Sequence, residues 1–314
     1  PLLEHPLYPD LELANLLRSA NTIVYHKSSE KIERYGPAWA WDDFKQYFSP
    51  ERSSFPIYGN VIMITKLENG ELRIKPNIFN INLDSTSSQS YTRKEKKNDF
   101  TINPLKIKLN DTILIPYIVS DENTIALLKH LTMKEVISES NVIINPDNLY
   151  SKVPEKIYQS ILKKSDNLIS ESLLANVGFS YTDTISVDVG INKTLEKLDA
   201  EIQNGVDWFD GSGLSRYNMV TPKAIIYTLN EIYNDWGLEK IKKFFPNNYV
   251  IEGEERFVWG KTGTLRNNHN YSGYIITDKG KSYFFSIMIN HFTKDLSEIK
   301  SVISDFLKYL KSNA

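Results

Sequence analysis

With 314 residues the chain can bury a sizeable core, in one large or two modest domains. A hydrophobic content of 41%, a charged content of 24% and a net charge of −2 are ordinary for a soluble globular protein and give no reason to expect nucleic acid or an anionic membrane as partner. The absence of cysteine excludes a disulfide framework, a thiol nucleophile and Cys-ligated zinc.

The first segment reads as helical around Leu11–Leu17 and then apolar at Ile23-Val24. Tyr35-Gly36-Pro37-Ala38-Trp39-Ala40-Trp41-Asp42-Asp43 is an aromatic turn region, read first as a packing plug rather than a binding site. From Ile57 to Pro116 short apolar runs alternate with turn signals, the pattern of a β-rich module. Within it Ser85–Asn98 is polar and aperiodic, which predicts a mobile loop with a solvated charge run at Arg93–Lys97. Thr124–Lys134 reads as a short helix. The composition shifts near residue 145, after which helical spacing recurs at Pro154–Lys164, Leu168–Val177, Thr184–Leu198 and Thr221–Trp236, the last opened by Pro222 in its first turn. Phe257-Val258-Trp259, Tyr271–Thr277 and Tyr283–Asn290 predict three short antiparallel strands, with a turn at 278–281. Asp295–Leu310 carries apolar residues at 296, 299, 302, 303, 306, 307 and 310, an amphipathic stripe suited to the face of that sheet.

Three stretches carry chemistry. Gly260-Lys261-Thr262-Gly263-Thr264 puts a cation and two hydroxyls at what reads as the outer end of the first strand, and Gly263 leaves room for a ligand backbone. A phosphate-cradling loop would need its first glycine at 255, where Glu255 stands, so a nucleotide site is excluded. What remains is the K-T-G strand of serine acyl-transferases that react with penicillin, or an edge strand ending in a solvated lysine. Ser165-Asp166-Asn167 suits both a helix N-cap and an S-x-N turn carrying a proton-relaying hydroxyl and an amide. Phe209–Asn218, with Gly211 and Gly213, reads as a structural loop.

The order Lys163-Lys164-Ser165-Asp166-Asn167-Leu168, Asp210-Gly211-Ser212-Gly213-Leu214-Ser215-Arg216 with Thr221-Pro222, then Gly260-Lys261-Thr262-Gly263-Thr264 resembles the class C low-molecular-mass penicillin-binding proteins, the D-alanyl-D-alanine carboxypeptidase/endopeptidases of the bacterial cell wall. Trp39-Ala40-Trp41-Asp42-Asp43 is similar to a motif of the accessory region that these proteins insert before the S-x-N turn. The resemblance implies an α+β penicillin-binding-protein/β-lactamase-like transpeptidase domain at 146–314, an antiparallel sheet with helices, and a β-rich accessory module at 1–145. It implies Ser165, Asn167 and Lys261 as catalytic residues: Ser165 passes a proton to the leaving D-Ala amine, Asn167 holds the acyl portion, and Lys261 attracts the substrate carboxylate. Thr262, Gly263 and Thr264 would bind substrate, the Thr264 N–H serving as half of an oxyanion hole. The implied ligands are peptidoglycan stem peptides ending in D-Ala-D-Ala, with β-lactams as inhibitors. No cofactor is expected, and the implied location is periplasmic or extracytoplasmic.

One departure stands out: the family's S-x-x-K nucleophile precedes the accessory region, and this sequence carries no convincing copy. Ser28-x-x-Lys31 lies in a polar stretch of the accessory module, Ser160-x-x-Lys163 on the helix leading to the S-x-N turn, and Ser297-x-x-Lys300 on the terminal helix. All three are rejected. The start at Pro1, without initiator Met or signal peptide, reads as a processed or trimmed product. A catalytically inactive homologue that binds peptidoglycan peptides or scaffolds wall enzymes, and a β-lactamase-like hydrolase, remain as alternatives. His5, His26, His130, His269 and His291 show no metal-binding spacing and read as surface or packing residues. No apolar run approaches the ~18 residues that span a bilayer.

Overall fold

Alternating apolar side chains over residues 57–116 can bury one face only by pairing strands, and in the computed structural model they do so. The structure describes residues 3–7, 11–27, 32–139, 154–249 and 255–314, and the chain divides into two compact units.

The first unit holds residues 1–153 and 167–190. Helix α1 (Leu11–Ser19) leads into β1 (Thr22–His26). Then come β2 (Val61–Lys66), β3 (Leu72–Lys75), β4 (Asn80–Leu83), β5 (Tyr91–Arg93), β6 (Asp99–Ile102) and β7 (Thr112–Pro116). Helix α2 (Asp121–Thr132) starts where the Ser120 hydroxyl accepts the Asn123 N–H, and β8 (Glu135–Glu139) pairs with β1 in parallel. Strands order as β3-β2-β7 and β4-β6-β5 around Ile62, Ile64, Phe100, Ile102, Ile115, Tyr117 and Leu127, the core of this β-rich unit.

Two expectations fail in this unit, for one reason. Arg93 is not part of a solvated run: it is 4% exposed, stacks its guanidinium 4.9 Å from the Phe44 ring centroid and donates to the Phe44 carbonyl at 3.0 Å. Its Nη1 lies 3.9 Å from the buried carboxylate of Glu51, which also accepts Arg34 at 2.6 Å and the Val119 N–H at 3.0 Å. Tyr91–Arg93 form the short strand β5 within the expected loop, and Lys94–Lys97 are exposed as expected. This ion cluster pins the 3₁₀ turn Trp41–Lys45, and Trp41 stands outward, 77% exposed, so it plugs nothing. Trp39 is the half-buried member, with the Arg52 guanidinium 5.9 Å from its ring. A buried charge needs partners from far along the chain, and local periodicity does not reveal them.

The second unit holds residues 154–166 and 191–314. Between its two parts helix α3 (Glu155–Lys164) is followed by α4 (Asn167–Thr182), which belongs to the first unit, and α5 (Val187–Leu195) spans the unit boundary. Helix α6 (Ala200–Gln203) and the small pair β9 (Val206–Asp207) and β10 (Met219–Val220) precede α7 (Pro222–Phe244). Thr221 caps α7 by accepting the Ala224 N–H, with Pro222 in the first turn as expected. The sequence placed the end of this helix at Trp236. The backbone does break there, at Gly237 (φ 68°), and a second helical piece continues to Phe244.

Three antiparallel strands follow in the order β11 (Val258–Leu265), β12 (Asn268–Ile276) and β13 (Ser282–Asn290), and α8 (Leu296–Asn313) closes the chain. Strand alternation divides their side chains between two cores. Val258, Tyr271, Ile275 and Phe285 meet Ile303 and Leu307 of α8. Trp259, Tyr274 and Phe284 meet Leu229, Trp236 and Ile241 of α7. Glycine is required at 273, where a Cβ would sit 2.1 Å from the Trp259 carbonyl oxygen. The stripe on α8 is wider than its contact: Ile303 and Leu307 are buried, whereas Val302 and Phe306 face outward. Leu307→Ala should therefore cost about 2–5 kcal/mol in urea denaturation while Val302→Ser stays within about 0.5 kcal/mol of the parent. Similar losses for the two would contradict this assignment of faces.

Candidate active site

The K-T-G residues do not sit at a strand's outer end; β11 runs straight through them to Leu265, and the hairpin turns at Arg266-Asn267. Polar residues and glycines hide this extension from periodicity, but their backbones pair with β12, Lys261 opposite Ser272 and Gly263 opposite Asn270. Among the described residues the other side of β11 has no strand neighbour. The Phe257 carbonyl accepts from Ile276 on β12, whereas the Gly260 N–H turns the opposite way to the Pro246 carbonyl at 2.9 Å. Backbone groups alternate along an antiparallel strand, so the N–H and C=O of Thr262 and Thr264 also point out from the open edge.

Lys261 lies on the α7 side of the sheet. Its Nζ donates to Ser165 Oγ at 2.5 Å and to the Thr262 carbonyl at 2.7 Å. Burial holds the amine below its ordinary 10.5. The unfolded chain binds that proton more tightly, so the charge costs stability at neutral pH, and the cost fades as pH rises toward 10.5.

Ser165 reaches Lys261 from an unusual backbone. It is not the N-cap of α4; it terminates α3 in the left-handed region (φ 53°, ψ 48°). Its N–H bonds to the Ile161 carbonyl, and the next N–H, of Asp166, to that of Ser160. The first of these is the single bond of a left-handed helix C-terminal lock, usually built on glycine. Asn167 opens α4 in the first unit, where its side-chain N–H donates to the Phe48 carbonyl at 2.7 Å.

The remaining expected residues divide by face. Gly263 is exposed, and a Cβ there would meet nothing within 4 Å, so the α7 face of the strand is open at this position. The Thr262 and Thr264 side chains are on the α8 side, opposite Lys261. The Thr264 hydroxyl bonds His269 Nδ1 at 2.7 Å across the hairpin, and His269 Nε2 meets the Tyr249 hydroxyl. His269, read from the sequence as surface or packing, is 1% exposed and fully engaged on both nitrogens. The available signal was its place opposite Thr264 across a two-residue turn. The loop at Phe209–Asn218 is structural as expected: the Asp210 carboxylate accepts the Gly213 and Ser215 N–H groups and the Asn218 amide.

Of the S-x-x-K alternatives, Ser28 and Lys31 lie outside the described residues. The Ser160 hydroxyl donates to Lys156 O on its own helix. Ser297 and Lys300 are exposed on the first turn of α8. Among the described residues no group of three or more His, Asp or Glu is placed to hold a metal ion, and no helix is long and apolar enough to cross a membrane.

The Ser165 hydroxyl is thus bonded to a lysine on the edge strand of a three-stranded sheet, on an α+β scaffold. Residues 125–310 match a model of the D-Ala-D-Ala carboxypeptidase 3 (S13) family, and the chain belongs to that family. It is 30% identical over 166 residues to D-alanyl-D-alanine carboxypeptidase DacB of Haemophilus influenzae, covering 48% of this chain and 34% of the relative. It is 23% identical over 165 residues to penicillin-sensitive carboxypeptidase A of Dictyostelium discoideum, covering 46% and 32%. The chain thus spans about a third of the length of these curated relatives. The crystal structure of penicillin binding protein 4 (dacB) from Haemophilus influenzae superposes with a TM-score of 0.70 at 18% identity, over 96% of this chain and 78% of that one. The same protein complexed with a novel beta-lactam gives 0.56 at 20% identity, over 83% and 72%. The fold is therefore the expected one, a transpeptidase-like α+β arrangement with a β-rich module.

Ser165→Gly and Ser165→Ala both remove the hydroxyl, but only glycine suits the left-handed cap. The glycine variant should be the more stable by about 1 kcal/mol in thermal or urea unfolding. Equal stabilities would contradict the backbone assigned to Ser165.

Proposed function

We propose that the complete protein is a serine D-alanyl-D-alanine carboxypeptidase/endopeptidase that cleaves peptidoglycan stem peptides through an acyl-enzyme and is inhibited by β-lactams. The observation that carries this reading is the bond from Lys261 to Ser165, two residues 96 positions apart that belong to separate motifs. In such a reaction a serine attacks the penultimate D-Ala carbonyl, and the leaving D-Ala amine needs a proton. Ser165, polarised by the adjacent ammonium, is suited to pass it on. Lys261 supplies positive potential for the terminal carboxylate of the peptide, and Thr262 is assigned to substrate binding through its outward N–H on the strand edge. The Thr264 N–H on the open edge offers half of an oxyanion hole, a donor typically worth ~10²–10³ in turnover. Asn167 is assigned the acyl portion of the substrate. Residues 1–145 act as the accessory module and 146–314 as the transpeptidase-like part. A wall substrate implies a periplasmic or other extracytoplasmic location.

A second reading, a homologue that binds wall peptides without cleaving them, is favoured by one observation. Ser160 bonds to its own helix and Ser297 is exposed on α8, so the described residues hold binding walls without an evident nucleophile.

Calorimetry with a D-Ala-D-Ala tripeptide and intact-mass measurement after benzylpenicillin test both. The 314-residue chain should bind the peptide reversibly and take up no stoichiometric adduct. Lys261→Ala should weaken binding roughly tenfold or more by removing a charge-assisted contact. Gly263→Val should abolish it sterically without loss of folding. A stoichiometric adduct would place the nucleophile within these residues, and binding unaffected by Lys261→Ala would sink the carboxylate assignment.

A further inference from the structure

The hydrogen-bonded chain under β11 is not required by the chemistry above, yet it ends on the residue whose peptide N–H faces the open edge. Thr264 and His269 are directly opposite, and by the alternation set at Phe257 and Gly260 they form a non-hydrogen-bonded pair, the type in which side chains approach most closely. The imidazole bridges them: Nδ1 to Thr264 Oγ1 at 2.7 Å, and Nε2 to the Tyr249 hydroxyl. Tyr249 is itself held firmly. Its ring lies 4.7 Å from that of Tyr271, and it occupies the left-handed backbone region (φ 67°), where a bulky residue stays only when its surroundings fix it.

We infer that His269 is a positioning residue for the open edge of β11: it anchors the Thr264 side chain against the α8 side of the sheet, through Tyr249, and so fixes the direction of the Thr264 N–H. This rests on reading β11 as the wall that receives the substrate carbonyl. A strand edge has no neighbour on its outer side to hold it, and a donor misplaced by about 1 Å can lose most of its effect on a developing oxyanion. A side chain tied down on the inner face supplies the missing restraint without occupying the groove.

The arrangement also predicts a pH dependence. The groups facing His269 are Thr264 from β11, Tyr249 from the segment before it, Lys300 from α8 and the apolar Ile289 paired with it on β13. Burial, with Lys300 adding like charge, holds the imidazole below its ordinary 6.5, and burial pushes the Tyr249 phenol up to about 12. At neutral pH the ring is uncharged, one nitrogen donating and the other accepting. Protonation makes both nitrogens donors, so whichever hydroxyl donates to the neutral ring, that of Thr264 or of Tyr249, must turn its proton away and the anchor is rearranged.

The test follows the Thr264 amide by ¹⁵N NMR in the 314-residue chain between pH 4.5 and 8, alongside affinity for a D-Ala-D-Ala tripeptide. In the parent the amide should shift with a single midpoint below 6.5, and affinity should fall roughly fivefold over the same transition, the worth of about one hydrogen bond. His269→Asn, which keeps a polar group near the Nδ1 position, should hold the amide near its neutral-pH shift and remove both pH dependences. Tyr249→Phe should displace the amide and weaken binding at pH 7 to an intermediate degree. A Thr264 amide that ignores pH in the parent, or that is unmoved by Tyr249→Phe, overturns the inference. Failure of the peptide to bind at any pH instead sinks the functional reading, and the amide titration still decides whether His269 governs Thr264.

Discussion

A residue on β11 has two faces available to its side chain and one free direction for its backbone, and the candidate site is built on that constraint. Even-numbered residues (Val258, Gly260, Thr262, Thr264) face α8, and odd-numbered ones (Trp259, Lys261, Gly263) face α7. The same alternation sends the backbone groups of the even positions out from the sheet edge. A one-residue slip in register would bury Lys261 under α8 and turn the Thr264 N–H into the ladder. The apolar anchors on both faces prevent this, with Val258 and Tyr271 on one side and Trp259 and Tyr274 on the other. Core packing and site geometry are thus one property of the strand.

On the α7 side a single amine joins three things. Lys261 spans from the edge carbonyl of Thr262 to the hydroxyl of Ser165, whose own position is fixed by the C-terminal lock of α3. Partial burial weakens the hold of Lys261 on its proton. A left-handed non-glycine residue and a desolvated lysine both cost stability, and both occur at the residues assigned to chemistry, where such strain is expected to collect.

The sequence made the elements with apolar periodicity legible: helices read at 154–164, 168–177 and 295–310, and strands read at 257–259, 271–277 and 283–290, each overlap elements of the structure. The ordered motifs also pointed to the family that the match over residues 125–310 establishes. What stayed hidden was tertiary. Arg93 looked solvated because its partner Glu51 is 42 positions away, and the 35–43 stretch read as a packing plug although Trp41 within it stands outward. Ser165 read as an N-cap of the helix after it, since Ser before an apolar run is the usual N-cap pattern, but it closes the helix before it. His269 had no metal spacing to mark it, and its role emerges only from strand register.

The central claim is that Ser165 and Lys261 act as one unit. A double-mutant cycle tests it most directly, with Ser165→Ala, Lys261→Met and the double variant compared by affinity for a D-Ala-D-Ala tripeptide. The account predicts a coupling energy of at least about 1 kcal/mol between the two changes, and losses that add to within about 0.3–0.5 kcal/mol would contradict it.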